Sequence, residues 1–310
     1  MTAFWRSGRL FVGLWLTIAG CRAARDSSAV PMTVYAAGSL ARPLRAALDS
    51  IAVTGGPTVR LEVMGSREIL RAITGLGKTP ELVVSADADE LERELIPRFV
   101  GASTTFARNR VVLALSSHSR VADTITQANW ADVLAVGTLQ VARADPARAP
   151  LGYRTQLVWK LAEAELKRPG LANRLSVLSP DAMMRGNESD LAALLESGSA
   201  DAAWCYESLA RSLHIKYVTL GDHIDLGTEA DSLRYGRVSV RIGGDRPGDS
   251  VLVAGKPIRY AMAVVSKGPD MIRATLLRDR LLDSASVRIM RRAGLDVLDT
   301  PWTTPRRPTQ

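Results

Sequence analysis

Two short stretches of this chain share one design. Val34-Tyr35-Ala36-Ala37-Gly38-Ser39 runs into a helix-like pattern over 40–53, and Leu61-Glu62-Val63-Met64-Gly65-Ser66 runs into another over 67–76. Each is an extended apolar run that ends at Gly-Ser. Glycine permits a tight turn and close approach of the backbone. Serine is a favoured helix N-cap whose hydroxyl can serve the helix or a ligand. The first turn of a helix carries unpaired N–H groups and the positive end of the helix dipole, which together attract anions. Two such turns at one sheet edge would build an oxyanion pocket from Gly38, Ser39, Gly65 and Ser66. Such a pocket needs no metal, no cofactor and no cationic side chain.

Other chemistries lack their residues. The histidines, His118, His214 and His223, have no metal-ligand spacing with one another, and His-Glu-x-x-His is missing. Gly-x-Ser-x-Gly, Gly-x-Gly-x-x-Gly and the Walker A pattern are missing too. His214 reads as a helix-ending cation. These absences favour a binding protein over an enzyme.

The turns need strands and helices to hold them. Strand-like runs fall at 32–37, 59–64, 81–85, 110–115, 137–143, 201–206, 215–219, 237–242 and 258–265. Helix-like patterns fall at 40–53, 67–76, 87–95, 128–134, 153–167, 188–197, 207–213, 269–282 and 284–293. Leu40, Leu44, Ala47, Leu48 and Ile51 have amphipathic helical spacing. Such alternation predicts an α/β fold with mostly parallel sheets flanked by helices. Ligands of open α/β sheets bind beyond the carboxyl ends of strands, where Ser39, Ser66 and Asp87 fall. Asp87 also reads as a plain helix N-cap, with Ala88-Asp89-Glu90 as the first turn. The run Phe106–Leu115 predicts a crossing strand into a second lobe, and 222–236 and 243–250 read as exposed turns.

The N-terminus matches an export signal. Arg6 and Arg9 precede an apolar stretch over Leu10–Ala19, too short to span a bilayer, and Ile18-Ala19-Gly20-Cys21 matches the bacterial lipobox. That match implies cleavage before Cys21 and lipidation of its thiol; an ordinary secretory signal with an incidental cysteine is the other reading. Either places the protein outside the cytoplasm. The expected organisation is a signal over 1–20, a tether over 21–31, a first lobe over 32–107 plus 266–303, and a second over 108–265. Without the signal, 290 residues remain and the net charge falls from +8 to +6, a size that suits two lobes. The arginines are spread along helices, aromatics are only 5%, and no nucleic-acid motif occurs, so nucleic acid is not an expected partner. Cys205, in the apolar run Ala202–Tyr206, reads as a buried structural thiol.

An ordered set of motifs then carries a resemblance. Ala37-Gly38-Ser39-Leu40, Gly65-Ser66, Leu95-Ile96-Pro97 and Phe106-Ala107-Arg108-Asn109 come first. Asp145-Pro146 with Gly152-Tyr153-Arg154, Glu188-x-x-Leu191, Leu195-x-x-Gly198-x-x-Asp201, Tyr206-Glu207-Ser208-x-Ala210 and Gly255-Lys256-Pro257-Ile258-x-Tyr260 follow. The set resembles the extracellular molybdate/tungstate-binding proteins of ABC importers, in the archaeal-type ModA/WtpA branch. The resemblance implies a two-lobed type II periplasmic binding protein with its ligand in the inter-lobe cleft. It implies permease and ATPase subunits as partners and no cofactor beyond the molybdate or tungstate ligand; a monomer, held to the membrane by the lipid on Cys21, is expected. It places the anion on Ser39, Ser66 and the amides around Ala149–Gly152.

Some members of that family add two carboxylates that coordinate the metal. One would fall at Glu207, although a pair with Arg154 or Arg211 would instead place it outside the cleft. The other aligns with Ala149, which cannot ligate; Asp145 is four residues away and otherwise reads as a turn residue before Pro146. A carboxylate beside a dianion repels it unless it bonds the metal, is protonated or is neutralised by a cation. Tyr206 sits in the same motif, and Tyr153 and Arg154 read as cleft-edge or scaffolding groups. The family's histidine before Ala-Gly-Ser is Ala36 here. Another oxyanion, sulfate or phosphate, and a sensor without transport are the alternatives.

Overall fold

A computed structural model describes residue 1 and residues 30–244 and 248–304. Cys21, the expected signal and most of the expected tether lie outside the described residues, as does part of the turn at 243–250.

The chain begins with three strand–helix units: β1 (Met32–Ala37), α1 (Ala41–Val53), β2 (Val59–Met64), α2 (Ser66–Thr74), β3 (Leu82–Ser85) and α3 (Ala88–Leu95). β4 (Ser103–Asn109) closes this part. A second group follows with β5 (Val111–Leu115), α4 (Trp130–Ala135), β6 (Val141–Ala144), α5 (Pro150–Glu165), α6 (Leu171–Leu178) and β7 (Met184–Arg185). It continues with α7 (Glu188–Glu196), β8 (Ala202–Tyr206), α8 (Glu207–Leu213), β9 (Tyr217–Thr219) and α9 (Ser232–Tyr235), then a hairpin of β10 (Ser239–Gly243) and β11 (Ser250–Ala254). β12 (Ile258–Val264), α10 (Met271–Leu281), α11 (Ser284–Arg292) and β13 (Asp296–Thr304) return to the first group.

Two main sheets organise these elements, in the orders β13-β4-β12-β3-β1-β2 and β7-β6-β8-β5-β9. Each is parallel on one side and antiparallel on the other, where the expectation was mostly parallel. β1 runs parallel to β2 and β3, and β6 parallel to β7 and β8. The strands that carry the chain between lobes, β4, β5 and β12, pair antiparallel with their neighbours. Crossing between lobes reverses chain direction, and the antiparallel half follows from that.

The expected single crossing strand is two. β4 pairs in the first sheet and β5 in the second, with the break at Asn109–Arg110. β12, expected at the end of the second lobe, pairs with β3 and β4, so the chain rejoins the first sheet before Ile258.

Burial follows the apolar pattern. α1 buries Leu44, Ala47, Leu48 and Ile51 on one face, and β3 is buried at all four residues, as a central strand covered on both faces should be. The second lobe is centred on Trp204, with Trp130 and Trp159 edge-on at 5.7 and 6.0 Å. Cys205 is buried beside it, and burial pushes its thiol pKa far up, as expected of a structural thiol. Among the described residues, no helix is long and apolar enough to cross a membrane.

Candidate functional site

Ser39 and Ser66 follow β1 and β2, neighbours in the first sheet, so both emerge at the same edge. The first turn is a single 3-10 turn, Gly38–Leu40, ahead of α1; in the second, Gly65 is the N-cap and Ser66 the first helical residue. Both serines are buried, at 3% and 1% exposure. Each hydroxyl oxygen accepts one hydrogen bond from the protein. Tyr260 Oη donates to Ser39 Oγ at 2.9 Å, and the Ala86 N–H donates to Ser66 Oγ at 3.0 Å. A hydroxyl whose oxygen is so engaged has its own proton left to give.

Tyr206, at the end of β8, repeats this arrangement from the second lobe. Its hydroxyl accepts from Arg154 Nη1 at 2.6 Å, and burial holds its proton on far above the ordinary phenol range. The three hydroxyls are joined by a continuous chain of contacts. Tyr206 packs edge-on against Tyr260, whose hydroxyl bonds Ser39. Arg154 Nη1 donates to both Tyr206 Oη and the Ala86 carbonyl, and Ala86 N–H reaches Ser66.

Arg154 and Tyr153 are buried on α5 and bridge the lobes. Arg154 pairs with Asp87 at 3.2 Å, and the Tyr153 hydroxyl donates to the same carboxylate. Asp87 also caps α3, accepting from the Glu90 N–H at 2.9 Å, which is the N-cap reading. Burial pushes its pKa up, but Arg154, the Tyr153 hydroxyl and the Glu90 N–H outweigh that and hold it below the usual range.

Asn109, at the crossing between lobes, has a role that its motif did not disclose. Its amide donates to Ser208 Oγ at 2.7 Å and Tyr260 Oη at 2.8 Å, and its oxygen accepts from the Arg110 and Ser208 N–H groups. The crossover is thereby tied through Tyr260 to Ser39.

Three expected participants lie elsewhere or are already engaged. Glu207 is not brought to the serines. It accepts from the Tyr217 hydroxyl at 3.0 Å and lies 3.5 and 3.6 Å from Arg110 and Arg211, which is the ion-pair alternative. Asp145 is a turn residue: its carboxylate accepts the Ala147 N–H at 2.7 Å. Ala149 is the buried N-cap of α5, but its own N–H is spent on the Asp145 carbonyl and that of Gly152 on the Ala149 carbonyl. Among the described residues, no group of three or more His, Cys, Asp and Glu is placed to hold a metal ion.

Both glycines of the two turns are needed for close approach. A Cβ on Gly65 would lie 2.1 Å from the Arg148 carbonyl oxygen of the other lobe, which accepts the Arg67 N–H. A Cβ on Gly38 would lie 2.7 Å from Glu188 Oε2 and 2.9 Å from its N. The lobes are clasped around these points by Arg148–Glu68 and Arg42–Glu196 pairs. A cavity of about 250 Å³ lies beyond Arg154, against Asp87, Glu90, Lys256 and β11. Another, of about 100 Å³, opens beside Gly38 and Ser39.

Comparison with known proteins gives a consistent picture. Residues 32–296 match the family model described as bacterial extracellular solute-binding protein. A solute-binding protein of Petrotoga mobilis is 32% identical over 273 residues, covering 87% of this chain and 84% of its own length. The molybdate/tungstate-binding protein WtpA of Pyrococcus abyssi is 28% identical over 265 residues, covering 79% and 76%. Among solved structures, the periplasmic molybdate-binding protein of Azotobacter vinelandii superposes with a TM-score of 0.61 at 16% identity, over 85% of this chain and 98% of that one.

Proposed function

Because this chain belongs to the bacterial extracellular solute-binding proteins, we propose that its solute is a tetrahedral oxyanion, molybdate or tungstate, delivered to the permease and ATPase subunits of an ABC importer. The observation that carries the oxyanion is the set of three buried hydroxyls whose oxygens are already engaged by the protein. Held that way, Ser39, Ser66 and Tyr206 each keep a proton to give. Such a site suits a fully ionised anion, since hydrogen bonds to charged acceptors are the strong ones and gain further in a low dielectric.

The serines come from the first lobe and Tyr206 from the second, so an anion held by all three favours the closed state over the open one. The similarity to WtpA supports molybdate and tungstate over sulfate. With Ala149 in the position of one family carboxylate and Glu207 paired to arginines, the metal keeps its four oxygens and binds through hydrogen bonds alone. Lipidation at Cys21 would hold the protein at the membrane near its permease.

Calorimetric titration of the purified protein with molybdate, tungstate, sulfate and phosphate tests this reading. Submicromolar binding of the first two, with sulfate and phosphate weaker, is expected. A preference for phosphate, or binding of none of the four, would overturn it.

A further inference from the structure

The first Gly-Ser turn already holds a carboxylate. Glu188, the first residue of α7, is 1% exposed, and its Oε2 lies against the Gly38 Cα, 2.7 Å from where a Cβ would be. The Ser39 N–H, a donor that the turn would otherwise offer to an anion, is close enough to Glu188 to favour its charged form. Its second oxygen, Oε1, is buried with no hydrogen-bond partner among the described residues. A buried carboxylate oxygen left unbonded is costly, and the cost falls if that oxygen carries a proton and donates it.

The groups around Glu188 do little to keep it charged. Arg154 on α5 faces it, but Arg154 is shared with Asp87 and Tyr206. From β8 come Cys205 and Tyr206, and from β12 Tyr260, all neutral; Asp190, on its own helix, repels it. The rim cations are taken, Arg42 by Glu196, Arg148 by Glu68 and Arg211 by Glu207. Burial, only partly offset by its own N–H, Arg154 and the Ser39 N–H, pushes the Glu188 pKa up to about 7.

We propose that Glu188 is the specificity-determining group of the pocket and couples oxyanion binding to proton uptake. One dianion and one proton enter together, and the proton rests on Glu188 Oε1. This rests on the oxyanion reading above. With the proton in place, the carboxyl no longer repels the anion and becomes a fourth O–H donor beside Ser39, Ser66 and Tyr206. An ionised Glu188 packed against the turn would instead exclude the dianion.

The test is calorimetry of the full chain with sodium molybdate and sodium sulfate, at pH 6 and pH 8, in buffers of different ionisation enthalpy. Wild-type affinity is expected to be about tenfold weaker at pH 8, with close to one proton taken up there and few at pH 6. Glu188→Gln is isosteric and cannot ionise; it is expected to bind equally at both pH values with no proton uptake. Wild-type binding that is flat in pH, or a Glu188→Gln protein that keeps the pH dependence, would overturn the coupling and leave the oxyanion reading standing. No binding of either anion by either protein at either pH would overturn both. Should Glu188→Gln fail to fold, the wild-type proton count decides alone.

Discussion

Replacing Tyr206 by Phe removes one of the three proposed donors and little else. The ring stays, so the edge-on contact with Tyr260 at 5.8 Å is kept. Arg154 loses the acceptor at 2.6 Å but retains the Ala86 carbonyl at 2.6 Å and Asp87 at 3.2 Å. A buried arginine that keeps two partners is not stranded, and the expected stability cost is about 1 kcal/mol. The binding cost is larger. A hydrogen bond to a charged acceptor is worth about 1.5–3 kcal/mol, which corresponds to a roughly 10- to 150-fold rise in Kd. Tyr260→Phe is the matched control, since Tyr260 spends its proton on Ser39 Oγ and orients that hydroxyl from behind. Its effect on Kd is expected to stay below about fivefold. Calorimetry with molybdate, alongside thermal melts of both variants, separates binding from folding. A Tyr206→Phe protein that binds within twofold of wild type would refute the assignment of that hydroxyl to the pocket.

Three other outcomes are expected. Glu188 has a folded pKa of about 7, above the ordinary glutamate value of 4.5, so its contribution to stability is lost as pH rises from 4.5 through 7. Glu188→Gln should therefore raise unfolding free energy by up to ~3 kcal/mol above pH 7, fading towards pH 4.5, in urea melts across that range; a gain independent of pH would contradict the burial argument. Gly65→Ala drives a Cβ to 2.1 Å from the Arg148 carbonyl oxygen, so the lobes should fail to close. Small-angle scattering with saturating molybdate should then give a larger radius of gyration than wild type, and an unchanged radius would show that the contact is dispensable. Glu207→Gln should leave molybdate affinity within about twofold, because Glu207 bonds Tyr217 and pairs with Arg110 and Arg211; a loss for molybdate that sulfate does not share would restore it as a metal ligand.

Much of the fold was legible because the pattern is local. β1, β2 and α8 fall at the expected residues, and the spacing of Leu44, Ala47, Leu48 and Ile51 is the buried face of α1. What was missed depends on distant partners. β13 carries Pro301 within its span and is interrupted between Val297 and Trp302, which removes the strand signal. β11 is mostly exposed and pairs only with β10, so it has no buried face to mark it. β4 and β5 read as one strand, since the polar Arg108-Asn109-Arg110 in the middle of the run does not by itself say that the chain changes sheet there.

The site divides the same way. Ser39 and Ser66 announced themselves by repeating a motif within a few dozen residues. Tyr206 and Tyr153 were visible only through resemblance, and Asn109 and Tyr260 had roles that no spacing discloses. Glu188 sat in plain view as the start of a helix pattern. That its side chain turns back onto Gly38 is a consequence of the two lobes meeting, which a linear pattern does not encode.

The most direct measurement is a crystal structure of the protein grown with molybdate, with the metal located by its anomalous scattering. The account predicts a single tetrahedral anion whose oxygens lie within hydrogen-bond distance of Ser39 Oγ, Ser66 Oγ and Tyr206 Oη, with a Glu188 oxygen against it. Molybdenum found instead in the cavity beyond Arg154, beside Lys256, or coordinated by Glu207, would contradict it.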